Sequence, residues 1–161
     1  MKKRIDIPVV PAADSHIPEV VEIWKEFMDF HSDIDPFLER RDDGHEHFEN
    51  YLRERIDSDD AAVLVALDED RVIGYSIVFI SNHPPVLKTE RYGFIDSLAV
   101  RSTYRRRGVG TAILKKMHEW FDSRGIDRIQ LNVLPGNEIG NSFWRKSGFR
   151  DFTHTLCMDK K

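Results

Sequence analysis

The chain is 161 residues long and 40% hydrophobic, which suits one compact domain over residues 1–161 and leaves little room for a second. Lys and Arg total 24 against 28 Asp and Glu, a formal net charge of −4, which argues against a general binder of nucleic-acid backbones. A single cysteine, Cys157, excludes an internal disulfide and fits a reducing cytoplasm. No apolar run is long enough to span a membrane, and the basic start Met1-Lys2-Lys3-Arg4 is not a secretory lead, because Asp6, Pro8 and Pro11 break the apolar stretch that should follow.

Taken in chain order, Ile5, Ile7, Val9 and Val10 predict a first strand, and Asp14-Ser15 offers a cap for a helix. In that helix Val20, Val21, Ile23, Trp24, Phe27 and Met28 recur at helical spacing, as core residues do, and it is expected to end near His31. An acidic connection, Ser32 to Pro36, leads through Arg40 to Gly44 into a second helix carrying Phe48, Tyr51, Leu52 and Ile56. Ala61 to Leu67 and Arg71 to Ile80, joined by Asp68-Glu69-Asp70, predict a β-hairpin. Tyr92 to Val100 predicts a further strand, Thr111 to Phe121 an amphipathic helix closed at Arg124-Gly125, and Arg128 to Val133 a short strand. Asn137 to Ser147 predicts a last helix closed by Gly148, and Phe152 to Met158 a final strand that would place Cys157 in the core. The order β, α, α, several β, α, β, α, β describes a mixed α/β or α+β domain, mostly antiparallel, with one parallel crossover between Tyr92 and Val133.

The sharpest local feature is the join between Leu98-Ala99-Val100 and the helix opening near Gly108. A helix start has free amides and a dipole that favours anions. Gly108 and Gly110 leave room for a phosphate, Arg105, Arg106 and Arg107 add charge, and Thr111 adds a hydroxyl donor. Together with Val109 these residues describe a diphosphate cradle. The segment has neither the Gly-Lys-Ser/Thr ending of a P-loop nor the three-glycine spacing of a dinucleotide fold, and a Gly-x-Gly alone reads more readily as a turn with solvated arginines.

Three segments in register carry a resemblance beyond that local motif. Arg105, Gly108 and Gly110 resemble the acetyl-CoA signature of the Gcn5-related N-acetyltransferase superfamily, which is Arg or Gln, two residues, Gly, one residue, Gly or Ala. Ile95 to Val100 resembles that family's fourth strand. Leu131-Asn132-Val133, Asn137 to Trp144 and Ser147-Gly148-Phe149 resemble its fifth strand and last helix. The resemblance spans nearly the whole chain. It implies a mostly antiparallel sheet splayed between strands 4 and 5 and flanked by about four helices, with acetyl-CoA as co-substrate and no metal. The pantetheine arm would lie in the gap, against the backbone of Leu98, Ala99 and Val100, with Asn137 and Trp144 on the other side. The acceptor would be a small-molecule or peptide amine, and the family often forms homodimers.

The implied chemistry assigns roles. An aliphatic amine has a pKa near ~10 and must lose a proton before attacking a thioester, so a general base is useful. Asp96, the carboxylate inside the strand before the cradle, is the expected base, with Glu90 as a weaker candidate and a rim carboxylate meeting solvent as the alternative role. The backbone amide of Leu98 is the expected oxyanion donor. The family often carries a tyrosine as proton donor to the departing thiolate where this chain has Trp144, and an indole N–H is too weak an acid for that task. Tyr104 or Tyr92 could replace it, or the thiolate, with a pKa of about 8.5, could leave unassisted. A catalytically silent acyl-CoA-binding module and an ordinary nucleotide-binding domain are the rival functions.

Acidic residues gather between the first two helices: Asp33 and Asp35, with His31, Glu39, Asp42 and Asp43. Asp33 and Asp35 are candidates for attracting a cationic amine, against a solvated loop offset by Arg40 and Arg41. His45 and His47, two apart on a helix, face different ways and do not form a metal pair.

Overall fold

The computed structural model describes residues 6–161. Ile5 and the basic start Met1 to Arg4 lie outside the described residues. Five strands and four helices follow the expected order up to residue 146: β1 (Val9–Pro11), α1 (Ile17–Ile34), α2 (Gly44–Ile56), β2 (Ala61–Asp68), β3 (Arg71–Asn82), β4 (Arg91–Val100), α3 (Val109–Asp122), β5 (Ile129–Leu131) and α4 (Glu138–Lys146). They form one sheet in the order β1-β2-β3-β4-β5, antiparallel except for the parallel pair β4–β5 across the α3 crossover.

Alternation along the inner strands explains the layering. In β2 and β3, Val63, Val65, Val72, Tyr75 and Ile77 face a cluster filled by Ile17, Val20, Val21 and Ile23 of α1 and Phe48 and Leu52 of α2. Their neighbours Leu64, Ala66, Ile73 and Val78 face a second cluster with Val109, Ile113, Met117 and Phe121 of α3. A period of two in a strand sends successive side chains to opposite faces, so a sheet covered on both sides needs apolar residues at nearly every position. Trp24 stacks on Phe48 with ring centroids 4.6 Å apart, joining α1 to α2.

Helix α1 runs to Ile34, a turn beyond the expected end near His31, and stops at Asp35, whose backbone is extended and whose carboxylate accepts from the Phe37 amide at 3.0 Å before Pro36–Leu38 makes a short 3-10 turn. The last predicted element is corrected. Residues 149–161 form no helix or strand, every residue from Arg150 onward is exposed, and Cys157 is an exposed free thiol rather than a core residue. The alternating pattern is that of a strand, but a strand exists only where a neighbour takes its hydrogen bonds, and among the described residues no strand pairs with the segment.

Two irregularities shape the site. The register between β3 and β4 passes from Val78↔Ile95 to Ile77↔Ser97, so Asp96 is an extra residue, a β-bulge. The β4–β5 pairing consists of Gly93↔Ile129, Phe94↔Gln130 and Ile95↔Leu131 and then stops, so the two strands part at the bulge.

Candidate active site

Where β4 and β5 part, a cleft of about 400 Å³ opens, lined along one side by Ile95 to Val100 and along the other by Leu131, Asn132 and Val133. One end meets the start of α3, and α1 covers part of the opening with Glu26, Phe27, Phe30 and His31.

The bulge determines which backbone groups face this gap. Gly93 donates to the Arg128 carbonyl on the β5 side, and Arg101 donates to the Ile73 carbonyl on the β3 side. Strand amides alternate sides, so without an extra residue at Asp96 the amides of Ser97 and Ala99 would face the gap. With it, Leu98 and Val100 face the gap beyond the last β5 pair, and Ala99 is turned to its β3 partner Tyr75. Of the three expected backbone positions, two therefore present unpaired edge groups and one is spent within the sheet.

The start of α3 is held by Gly108 as its N-cap in the left-handed conformation, φ +84°. That region is open to glycine and strained for other residues, so Gly108 turns the chain sharply from the arginine run into the helix. The amides of the first helical turn lack intrahelical acceptors and point toward the cleft end, and Arg105, Arg106, Val109, Gly110 and Thr111 line it. Arg107 is turned aside, its guanidinium 5.3 Å from the centre of the Tyr104 ring. Gly110 has a second reason to be small: a Cβ there would stand 3.2 Å from the Phe143 ring of α4, so glycine sets the close approach of the two helices that flank the cleft. Asn137 caps α4 by accepting from the Gly140 amide at 2.9 Å and also borders the cleft. Open backbone edges, a bare helix start and flanking arginines fit a long amide-bearing ligand that ends in phosphates.

Asp96 lines the cleft, and Tyr51 of α2 donates to its Oδ2 at 3.1 Å. Asp96 is exposed as a residue, yet the protein packed around its carboxyl is the strongest influence and raises its pKa above the ordinary carboxylate value, against the Tyr51 hydrogen bond and the Arg55 charge that lower it. Tyr51 itself is pushed up to about 12, first by burial and then by the Asp96 charge. Behind them the Tyr75 phenol is fully buried and raised by burial. Its hydroxyl and that of Ser97 are both buried without a hydrogen-bond partner, although Ser97 is close enough to oppose the shift. Glu90 is exposed at the far end of β4 and does not border the cleft.

Trp144 borders the cleft with its ring set edge-on between Phe143 and Phe149, at 5.0 and 5.2 Å. Of the two tyrosines that could replace the usual proton donor, Tyr104 borders the cleft and Tyr92 does not, and both rings are otherwise engaged. Tyr104 donates to Asp68 Oδ2 at 2.7 Å, which raises its pKa, and Tyr92 stacks on His83 at 4.2 Å at the opposite end of β4.

Asp33 and Asp35 do not border the cleft. Asp43 is held to about 2 by the hydrogen bond from Arg41, helped by His47, and Asp29 of α1 pairs with Arg40 at 3.0 Å, so the two arginines of the connection are taken by these carboxylates. The α1 residues that do reach the cleft are Glu26, which accepts from the Ser102 amide at 3.1 Å, and His31. His31 Nδ1 lies 2.7 Å from the Phe27 carbonyl, which can only accept, so the neutral ring presents Nε2 as an acceptor. Sequence grouped His31 with its acidic neighbours. Its separate place follows from helix phase: Ile23, Phe27, Phe30 and His31 share one face of α1, while Asp33 falls on another and Asp35 lies beyond the end of the helix. No group of three or more His, Cys, Asp or Glu side chains is placed to hold a metal among the described residues, and no helix there is long and apolar enough to cross a membrane.

Comparison with known proteins agrees with this geometry. The model of the acetyltransferase (GNAT) family matches residues 20–149. An N-alpha-acetyltransferase 30 from Schizosaccharomyces pombe is 34% identical over 85 residues, 53% of this chain and 55% of that protein. An L-2,4-diaminobutyric acid acetyltransferase from Shouchella clausii is 31% identical over 87 residues, 54% of this chain and 46% of that protein. The chain thus spans about half the length of these curated relatives. Among solved structures, an aminoglycoside N-acetyltransferase in complex with CoA superposes with a TM-score of 0.76 at 17% identity, covering 100% of this chain and 99% of that one. With its splayed sheet, its glycine-bounded helix start and a family match over most of its length, the chain belongs to the GNAT family of acetyltransferases.

Proposed function

We propose that this protein transfers an acetyl group from acetyl-CoA to a primary amine by direct attack of the amine within a ternary complex. The observation that carries this is the parting of β4 and β5 at the Asp96 bulge, which frees the edges of Leu98 and Val100 in a cleft ending at the amides of α3. Acetyl-CoA, when bound, supplies the thioester as an activated acyl group. Arg105, Arg106, Thr111 and the first amides of α3 would hold its phosphates, and Leu98 and Val100 would hydrogen-bond the arm as an added strand does.

The protein's own groups then act on the acceptor. Asp96, with its raised pKa and its tie to Tyr51, takes the amine proton directly or through water, since a base works best when its pKa approaches the working pH. The Leu98 amide, fixed toward the gap by the bulge, stabilises negative charge developing on the acyl oxygen. Glu26 and Asp96 place two carboxylates on the cleft and Phe27 and Phe30 add aromatic lining, which suits an amine on an apolar carrier. Trp144 packs without giving up a proton, so the thiolate leaves unassisted, and its pKa of about 8.5 makes that tolerable near neutral pH.

A second function, acyl-CoA binding without transfer, has a specific observation in its favour: Trp144, Tyr104 and Tyr92 provide no free phenol at the cleft. Thiol release measured with a panel of amines, including amino acids, polyamines, aminoglycosides and peptide N-termini, separates the two. Turnover with any class supports transfer. Coenzyme A binding with no turnover across the panel supports the silent module, and tight ATP binding with indifference to coenzyme A removes both.

A further inference from the structure

Helix α2 carries Tyr51 and Arg55 one turn apart, and both act on Asp96 at the β4 bulge. Tyr51 holds the carboxylate by Oδ2, and Oδ1 accepts no hydrogen bond from a described residue. An arginine this near a carboxylate ordinarily closes a bidentate ion pair. Arg55 does not. Among the described residues its guanidinium forms no ion pair, although its charge reaches Asp96.

Two aromatic rings account for this. The guanidinium lies 4.7 Å from the centre of the Tyr51 ring and 4.7 Å from the centre of the Phe79 ring, in the range at which a cation is drawn to a ring face. Phe79 is backed by Phe94, its partner across β3 and β4, at 5.3 Å, and Tyr51 by Phe48 at 6.4 Å. The clamp on Arg55 is therefore anchored in the sheet and in α2. Its placement matters for the carboxylate. A bidentate pair would occupy both oxygens and favour the charged form so strongly that the group would lose most of its basicity. With no cation nearby, the protein packed around the carboxyl would act unopposed and keep more of it protonated.

We propose that Tyr51, Arg55 and Phe79 are positioning residues for Asp96: Tyr51 fixes one oxygen, and the two rings keep the Arg55 cation beside the carboxylate but out of ion-pair contact, so that the second oxygen stays open. The use of that oxygen as a base for an amine rests on the transfer reading, whereas the arrangement itself rests on the geometry. Of the other titratable groups around Asp96, Tyr75 of β3 feels its charge, and Glu26 and His31 of α1, Tyr104, and Arg105 and Arg106 before α3 line the same cleft. The substitutions below leave all of these in place.

Carbon-13 NMR titration of the Asp96 carboxyl, assigned by its absence from Asp96→Asn, reads the arrangement without turnover. Tyr51→Phe keeps both ring contacts and removes only the hydrogen bond, and Arg55→Met keeps an unbranched chain and removes the charge. Each should move the titration midpoint up by about 0.5 pH unit or more. Phe79→Leu opens the clamp and frees Arg55 to pair with Asp96, so the midpoint should move down by about 1 pH unit. A midpoint that stays put in Tyr51→Phe or Arg55→Met, or that fails to fall in a folded Phe79→Leu, overturns the proposal, because a merely structural role changes stability and leaves this titration alone. Tyr51 and Arg55 are half-exposed and their replacements are close in shape, so these two variants decide the matter even where Phe79→Leu does not fold. With an amine that turns over, the rising limb of the pH–rate profile should follow the same midpoints. In Tyr51→Phe kcat should also fall about 10-fold while the KM for acetyl-CoA holds. Midpoints that shift as stated in a protein that acetylates no amine support the arrangement and remove the transfer reading. Midpoints that do not shift in a protein that acetylates amines remove the proposal and leave transfer standing.

Discussion

Asp96 owes its properties to being one residue too many in β4. The bulge leaves its side chain at the cleft, burial raises its pKa, and Tyr51 and Arg55 keep the shift in check. As a general base it must be ionised, so the rate should climb as pH rises through its raised pKa. Asp96→Asn should cost about 100-fold in kcat/KM at low pH and recover in part at high pH, where free amine is abundant, as a pH–rate profile with the best amine would show. A loss of equal size at every pH would mark Asp96 as structural. Tyr75 presents the opposite case, a phenol buried without a partner. Its raised pKa means that the neutral form's contribution to stability is fully present below the ordinary value of ~10 and is lost as pH rises above it, where the unfolded chain ionises first. Tyr75→Phe should raise stability at neutral pH by about 1 kcal/mol, because it removes an unsatisfied buried hydroxyl, and should flatten the alkaline fall in denaturant midpoint.

At the scale of elements, the start of α3 performs two tasks through two glycines. Gly108 supplies a left-handed turn with nothing near its missing Cβ, whereas Gly110 sits in helical backbone against Phe143. From sequence, a bulky residue at Gly110 is expected to block the phosphates and leave the fold intact. The structure sharpens this, since Gly110→Val must also move Phe143 and with it α4. Coenzyme A affinity should fall at least ~10-fold, and stability should fall by about 1 kcal/mol from overpacking, measured by calorimetry and denaturant unfolding. Gly108→Ala should cost a similar 1–2 kcal/mol through backbone strain alone, roughly the penalty for a left-handed L-residue.

At the scale of the whole molecule, Arg101 ties the helical layer to the sheet just beyond the cleft. It is 12% exposed and reaches Glu19 at 3.3 Å, Glu22 at 3.0 Å and the Val72 carbonyl at 2.7 Å, while Glu19 also accepts from the Val72 amide. Arg101→Ala should cost about 2 kcal/mol, most of it from the unpaired Val72 carbonyl and Glu19, since the Glu22 contact is screened by solvent. None of this network is legible in sequence, where Arg101 is the residue after a strand, Val72 lies 29 positions away and the two glutamates 82 and 79. The β2–β3 hairpin, the phase of α1, the parallel crossover and the glycines at α3 follow from local rules, because apolar periodicity and helix-start chemistry act over a few residues. Three features needed the tertiary structure. Bulge placement depends on the register of a neighbouring strand, so it alone decided that Leu98 and Val100, rather than Ala99, face the gap. Side-chain convergence depends on helix packing, so it decided that Glu26 and His31 reach the cleft and Asp33 and Asp35 do not. Strand formation depends on an available edge, and for Phe152 to Met158 the sequence determined the alternation while the fold withheld the partner.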